Sequence, residues 1–203
     1  RETSRKKSEV DSKYKKQSGG HGQYGHVKLR FEPSGDMEKP YIFEEVVVGG
    51  SVPKNYFPAV EKGLSESVQS GPLAAYPVVG VKCVLYDVSY HPVDSSEMAF
   101  KTATIMGFKK GFMEAGPVLL EPIVTMRVTV PDQYTGDVMG DLNPRRGRVL
   151  GMNPAKAGHT VVEAEVPELE IYGYSNTLRS MTGGSGDFEY EFVRYEQAPG
   201  DVQ

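Results

Sequence analysis

Cysteine, long apolar runs and nucleotide signatures are all scarce in this 203-residue sequence. Cysteine occurs once, at Cys83. One thiol cannot form an internal disulfide, so a disulfide-stapled secreted domain is excluded and a reducing cytoplasm is the expected compartment. Cys83 lies mid-strand and reads as a small buried hydrophobe. No apolar run approaches the roughly 20 residues of a membrane-spanning helix. The first 17 residues are polar and basic, without the apolar centre of a signal peptide. The chain does not begin with Met, so a piece of a longer protein or a processed chain is expected. Gly19-Gly20-His21-Gly22-Gln23-Tyr24-Gly25 lacks the Gly-Lys-Ser/Thr ending of a phosphate-binding loop and precedes a strand rather than a helix; Gly183-Gly184-Ser185-Gly186 fails in the same way. The glycines of both runs read as positive-φ turn residues.

What is present begins with charge. The net charge is −4, which argues against nucleic-acid binding by the whole surface. Yet Arg1, Arg5, Lys6, Lys7, Lys13, Lys15, Lys16, Lys28 and Arg30 crowd the first thirty residues. A basic arm on an acidic body suits a partner met at one end; a solvated strand face reads equally well.

The clearest local pattern surrounds Ser89-Tyr90-His91-Pro92-Val93-Asp94-Ser95-Ser96-Glu97. Before it, Val79, Val81, Cys83 and Leu85 alternate with period two, as in a strand. After it, Met98, Thr102, Ile105, Phe108, Phe112 and Ala115 recur at helical spacing. Pro92 stiffens the corner, and Asp94 with Glu97 suits a capping box.

Elsewhere residues 1–17 suit a strand or ordered arm. Strands are expected at 26–32, 41–48 and 78–90. A helix follows Pro53 with Phe57, Val60, Leu64 and Val68 on its buried face, and the long helix spans about 95–115. Residues 119–122 read as a linker. The remainder runs strand, helix (134–142), strand (147–153), strand (159–166), helix (168–180), strand (188–195). That is the order of a ferredoxin-like unit, so the class is α+β.

Three chemistries compete for the polar residues. A metal site at His21, His26 and His91 with Asp94 and Glu97 lacks helical histidine spacing and a nearby thiolate, so none is expected. A hydrolase would use Ser95, His91 and Asp94, but no Gly-x-Ser-x-Gly elbow exists. RNA recognition would use Gln23 and Tyr24 on one loop and Tyr90 and His91 on the other, planar groups suited to 2′-hydroxyls and unpaired bases. The basic turn at Arg145, Arg146 and Arg148 suits either RNA or the end of a helix.

These same residues carry a family resemblance. Lys16-Gln17-Ser18-Gly19-Gly20-His21-Gly22-Gln23-Tyr24-Gly25-His26-Val27 resembles the start of the fourth domain of bacterial elongation factor G, and the segment from Ser89 to Phe100 resembles that domain's distal loop and helix. The stretch from Pro117 to Ile123 looks like the junction with the fifth domain. Thr135-Gly136-Asp137-Val138-Met139-Gly140-Asp141-Leu142, Arg145-Arg146-Gly147 and Leu178-Arg179-Ser180-Met181-Thr182-Gly183-Gly184 resemble the fifth domain itself.

The resemblance implies a ribosomal-protein-S5-like domain with a left-handed βαβ crossover at 1–118, then a ferredoxin-like βαββαβ domain at 119–203. It implies a ribosome-binding module of a cytoplasmic, monomeric translational GTPase that drives tRNA–mRNA translocation. The tip residues would be Gly20, His21, Gln23, Tyr24, Tyr90, His91 and Pro92. Arg145, Arg146 and Arg148 would face ribosomal RNA, and the fifth domain would also meet ribosomal protein. No cofactor or catalytic residue is implied here; GTP and Mg²⁺ would belong to an upstream G domain. Three features depart from the family pattern. His21 stands where arginine is common, and Pro92 stands where an acidic residue is frequent. The sequence stops after Ala198-Pro199, short of an expected terminal helix. They point to a paralogue, leaving open translocation, ribosome recycling or a stress role.

Overall fold

In the computed structural model the chain divides into two compact units, residues 1–119 and 120–203. The structure describes residues 1–18, 21–49 and 53–200, with Ser18 and His21 described in backbone only. Gly20 therefore lies outside the described residues.

The first unit contains β1 (Glu2–Ser4), β2 (Ser8–Ser18), β3 (His21–Pro33), β4 (Tyr41–Glu45), α1 (Phe57–Ser67), β5 (Val81–Ser89) and α2 (Glu97–Glu114). Four of its strands form a sheet in the order β2-β3-β5-β4, antiparallel except for the parallel β4–β5 pair that α1 connects. The supposed arm is thus two strands. β1 is buried, and Glu2 accepts backbone N–H bonds from Leu73, Ala74 and Tyr76 at 2.8–3.0 Å. Those bonds fasten the loop after α1. The helix after Pro53 begins as a 3-10 turn, Lys54–Tyr56, and becomes α-helical only at Phe57.

α2 buries Ala99, Phe100, Ala103, Thr104, Gly107, Phe108, Gly111 and Phe112, while Met98 is 61% exposed. The expected face, led by Met98 and Ile105, is displaced because small residues, not large ones, mark the contact with the sheet. A Cβ on Gly111 would collide with the Phe31 ring. At that distance Ser8 and Ser12 hydroxyls donate to the Gly111 and Ala103 carbonyls, both at 2.6 Å. The helix cap also differs from expectation. Ser96, not Asp94, is the N-cap, its hydroxyl accepting from the Ala99 N–H at 3.1 Å.

The second unit follows along β6 (Pro117–Pro131), whose first residues pair with β1 inside the first unit. The expected linker at 119–122 is therefore strand. Then come α3 (Thr135–Leu142), β7 (Arg148–Pro154), β8 (His159–Pro167), α4 (Tyr174–Thr182) and β9 (Asp187–Gln197). The sheet order β9-β6-β8-β7 is antiparallel throughout, the ferredoxin-like arrangement. Its core gathers Met126, Val128, Val138, Leu142, Val162, Tyr174 and Leu178. Burial holds the Tyr174 phenol up at about 12.

Candidate nucleic-acid interface

At one end of the first unit, the start of β3 lies beside the loop at 91–95. Backbone and side chain both make the join. The Tyr24 N–H donates to the Asp94 carbonyl at 3.0 Å. The Ser95 hydroxyl donates to the Tyr24 carbonyl at 2.9 Å and accepts from the His91 N–H at 2.7 Å. The Ser95 N–H returns a bond to the His91 carbonyl at 3.0 Å. One serine thus holds both segments.

Gly25 explains the close fit. It lies within β3 at ordinary φ, and a Cβ there would sit 2.5 Å from the Ala99 carbonyl oxygen. The expectation that these glycines supply positive φ in a turn is corrected: Gly22 and Gly25 are strand residues that admit Asp94 and the first turn of α2. Neither can cradle a phosphate. In the other run, Gly183 is the left-handed C-cap of α4, at the wrong end of a helix for an anion.

His91 is half exposed, and its Nδ1 accepts from the Val93 and Asp94 N–H groups at 3.2 and 3.1 Å. With Nδ1 accepting from two backbone N–H groups, Nε2 is the ring nitrogen left to donate outward. Asp94 Oδ2 at 3.7 Å from Nδ1 is too distant to compete. Gln23 and Pro92 are exposed beside it. Val93, 73% exposed, adds an apolar surface that the sequence pattern did not single out.

Tyr24 and Tyr90 are placed differently. Both are half-buried. Tyr90 packs on the core beside Tyr56. The Tyr24 hydroxyl meets Ser89 Oγ at 2.8 Å, Ser89 Oγ meets His26 Nδ1 at 2.7 Å, and His26 Nε2 meets Asp11. The Asp11 carboxylate can only accept, so Nε2–H of His26 donates to it, and Ser89 links the other ring nitrogen to the Tyr24 hydroxyl. The His26 hydrogen bond holds the Asp11 carboxyl below its usual range. Tyr24 and Tyr90 therefore brace the tip. His21 has no described side chain.

In the second unit the three arginines separate. Arg145 donates to Asp141, the Glu170 carbonyl and Thr177, and lies over the Tyr174 ring at 5.0 Å. Arg146, at φ +59°, grips both oxygens of Glu121 at 2.7 and 3.0 Å and also Glu170. The Glu121 hydrogen bond raises its pKa further. Only Arg148 is exposed, paired with Glu165. No group of three His, Cys, Asp or Glu side chains is placed to hold a metal among the described residues.

Comparison with known proteins agrees with this two-unit division. The family model for elongation factor G, domain IV matches residues 1–116, and that for the elongation factor G C-terminus matches residues 118–203. The chain belongs to the elongation factor G family. It carries the domain IV and C-terminal regions of an elongation-factor-G-like translation factor. A crystal structure from Thermus thermophilus superposes at a TM-score of 0.86 with 46% identity, covering 100% of this chain and 30% of that one. The chain thus spans about a third of the length of that solved relative.

Proposed function

We propose that the first unit's tip acts in the small-subunit decoding region of the ribosome, where Gln23 and the His91 Nε2–H hold the tRNA–mRNA pair as it moves. The parent would be a cytoplasmic, monomeric GTPase. The role of this part is steric and hydrogen-bonding. GTP and Mg²⁺ would act in a G domain elsewhere in that parent. Ribosomal RNA and protein are the partners proposed for the second unit, with Arg148 as the exposed member of the 145–148 turn.

One observation carries this reading. Ser95 locks the loop that carries the half-exposed His91 against the start of β3, next to the exposed Gln23. Preorganised planar donors lose little entropy on meeting RNA. A hydrolase reading is weaker, because His91 Nδ1 is engaged by backbone N–H groups and Ser95 Oγ already donates to Tyr24.

The test is single-turnover tRNA–mRNA movement by the full-length parent, with GTP hydrolysis followed in parallel. His91→Ala is expected to slow movement at least tenfold, about 1.4 kcal/mol of barrier, with hydrolysis retained. A native parent that hydrolyses GTP but moves nothing would instead favour recycling or a stress role.

A further inference from the structure

The basic first thirty residues do not form one uniform surface. Lys7 pairs with Glu32 at 3.5 Å, Lys28 with Asp87 at 3.7 Å, and Arg30 lies over the Tyr86 ring. Arg5 donates to the Gly116 carbonyl. Lys13, Lys15 and Lys16 differ. All three are exposed and have no carboxylate partner among the described residues. Lys13 lies over the Tyr24 ring at 5.7 Å and feels the Asp11 carboxylate only at longer range, since Asp11 is hydrogen-bonded to His26.

Position adds to charge. The register sets Lys13 opposite His26, Lys15 opposite Tyr24 and Lys16 opposite Gln23. The lysines therefore run along the second half of β2 to the proposed tip. β2 is an edge strand, so nothing in its sheet covers their outer side. Lys13 and Lys15 share one face, while Lys16 points to the other side beyond buried Ser12 and half-buried Tyr14. Successive cations on an uncovered strand edge suit a repeating anion.

We infer that Lys13, Lys15 and Lys16 form a strip that binds an RNA phosphodiester backbone beside the tip. This rests on the tip reading and extends it: the strip supplies sequence-independent attraction, and Gln23 with His91 supplies the planar contact. The flanking exposed Gln23 favours RNA over an acidic protein, because its amide next to the cations can both donate to and accept from a 2′-hydroxyl or a base edge.

The probe is a fluorescein-labelled RNA hairpin of mixed sequence, titrated with the 203-residue chain across a salt series. Replacing Lys13, Lys15 and Lys16 together by Gln is expected to weaken binding about tenfold near 50 mM salt and make the log–log salt slope shallower by about two. Circular dichroism checks that the triple variant is folded. A charge-matched variant, Lys62→Gln, Lys109→Gln and Lys110→Gln on the exposed helix surfaces, is expected to bind as the native chain does. The proposal is overturned if the strip variant matches the native slope, if the helix variant loses as much, or if polyglutamate competes as well as RNA. His91→Ala should leave the salt slope intact, so failure of the strip and failure of the tip mechanism read out separately.

Discussion

The ion pairs described in the first unit rely on lysine and histidine, those in the second on arginine. Two residues of equal exposure make the contrast concrete. Lys82 and Arg146 side chains are each 29% exposed, and each bridges two glutamates. Lys82 reaches Glu32 and Glu44 at 3.6 and 3.3 Å, beyond ordinary hydrogen-bond length. Arg146 grips Glu121 through two nitrogens, and Glu121 is only 8% exposed. A lysine is a mobile point charge that water screens readily, whereas a guanidinium fork fixes a carboxylate in place. The second unit ties Arg127, Arg145, Arg146, Arg148 and Arg194 to its own carboxylates. The first leaves several to solvent near its tip.

Removing the arginine should show the largest effect. Arg146→Ala leaves the nearly buried Glu121 carboxylate without its partner and should destabilise the second unit by about 2–3 kcal/mol, discounted for partial exposure. Lys82→Ala should cost under about 1 kcal/mol. Urea unfolding followed by tyrosine fluorescence measures both. Equal losses would erase the distinction between the units.

The same contrast explains what could be read in the sequence. Strand periodicity marked β5, because Val81, Cys83 and Leu85 alternate against partners on one face. The order of the second unit was legible for the same reason. Residues 119–122 were misread because Pro117 and Pro122 look like linker residues. β8 pairing starts only at Ile123, so at Pro122 β6 has a partner on the β9 side alone and one missing N–H is tolerated. The α2 face was misread because large residues were weighed more heavily than Ala103, Gly107 and Gly111, whose smallness is what brings the helix to the sheet. The turn at Arg145 and Arg146 reads equally as an RNA contact or a helix end, because the acceptors Glu121, Glu170 and Thr177 are distant in sequence. At the tip, Gln23 and His91 were recognisable from local motifs. The Ser95 hydroxyl that joins them was not, since its second partner lies 71 positions away.

That hydroxyl gives the intermediate effect. Ser95→Ala removes the acceptor for the His91 N–H and the donor to the Tyr24 carbonyl. Global stability should fall by about 1 kcal/mol, since both backbone groups are near solvent. Amide exchange at His91 should accelerate well beyond that at β5 residues, and movement on the ribosome should slow although His91 and Gln23 are retained. Ser95→Thr, which keeps the hydroxyl, should restore most of both. Unchanged exchange at His91 would show that the two segments are held by backbone bonds alone.

The smallest effect concerns pH. Asp11 is depressed below its ordinary 3.8 by the His26 hydrogen bond. A carboxylate with a lowered folded pKa stabilises the fold above its unfolded value, and that contribution disappears as pH falls through the folded value. The loss should therefore appear only below about pH 4. It should be modest and salt-sensitive, because the Asp11 side chain is 59% exposed and water screens it. Asp11→Asn should be slightly less stable near neutrality and should lack this part of the acid transition in urea titrations. The carboxylate is linked through His26 and Ser89 to the Tyr24 hydroxyl, so the Tyr24 ring signals should shift in the same pH range. A ring that ignores the protonation of Asp11 would mean that the tip is braced by Ser95 and Gly25 alone, and that the lysine-bearing edge of β2 is electrostatically independent of it.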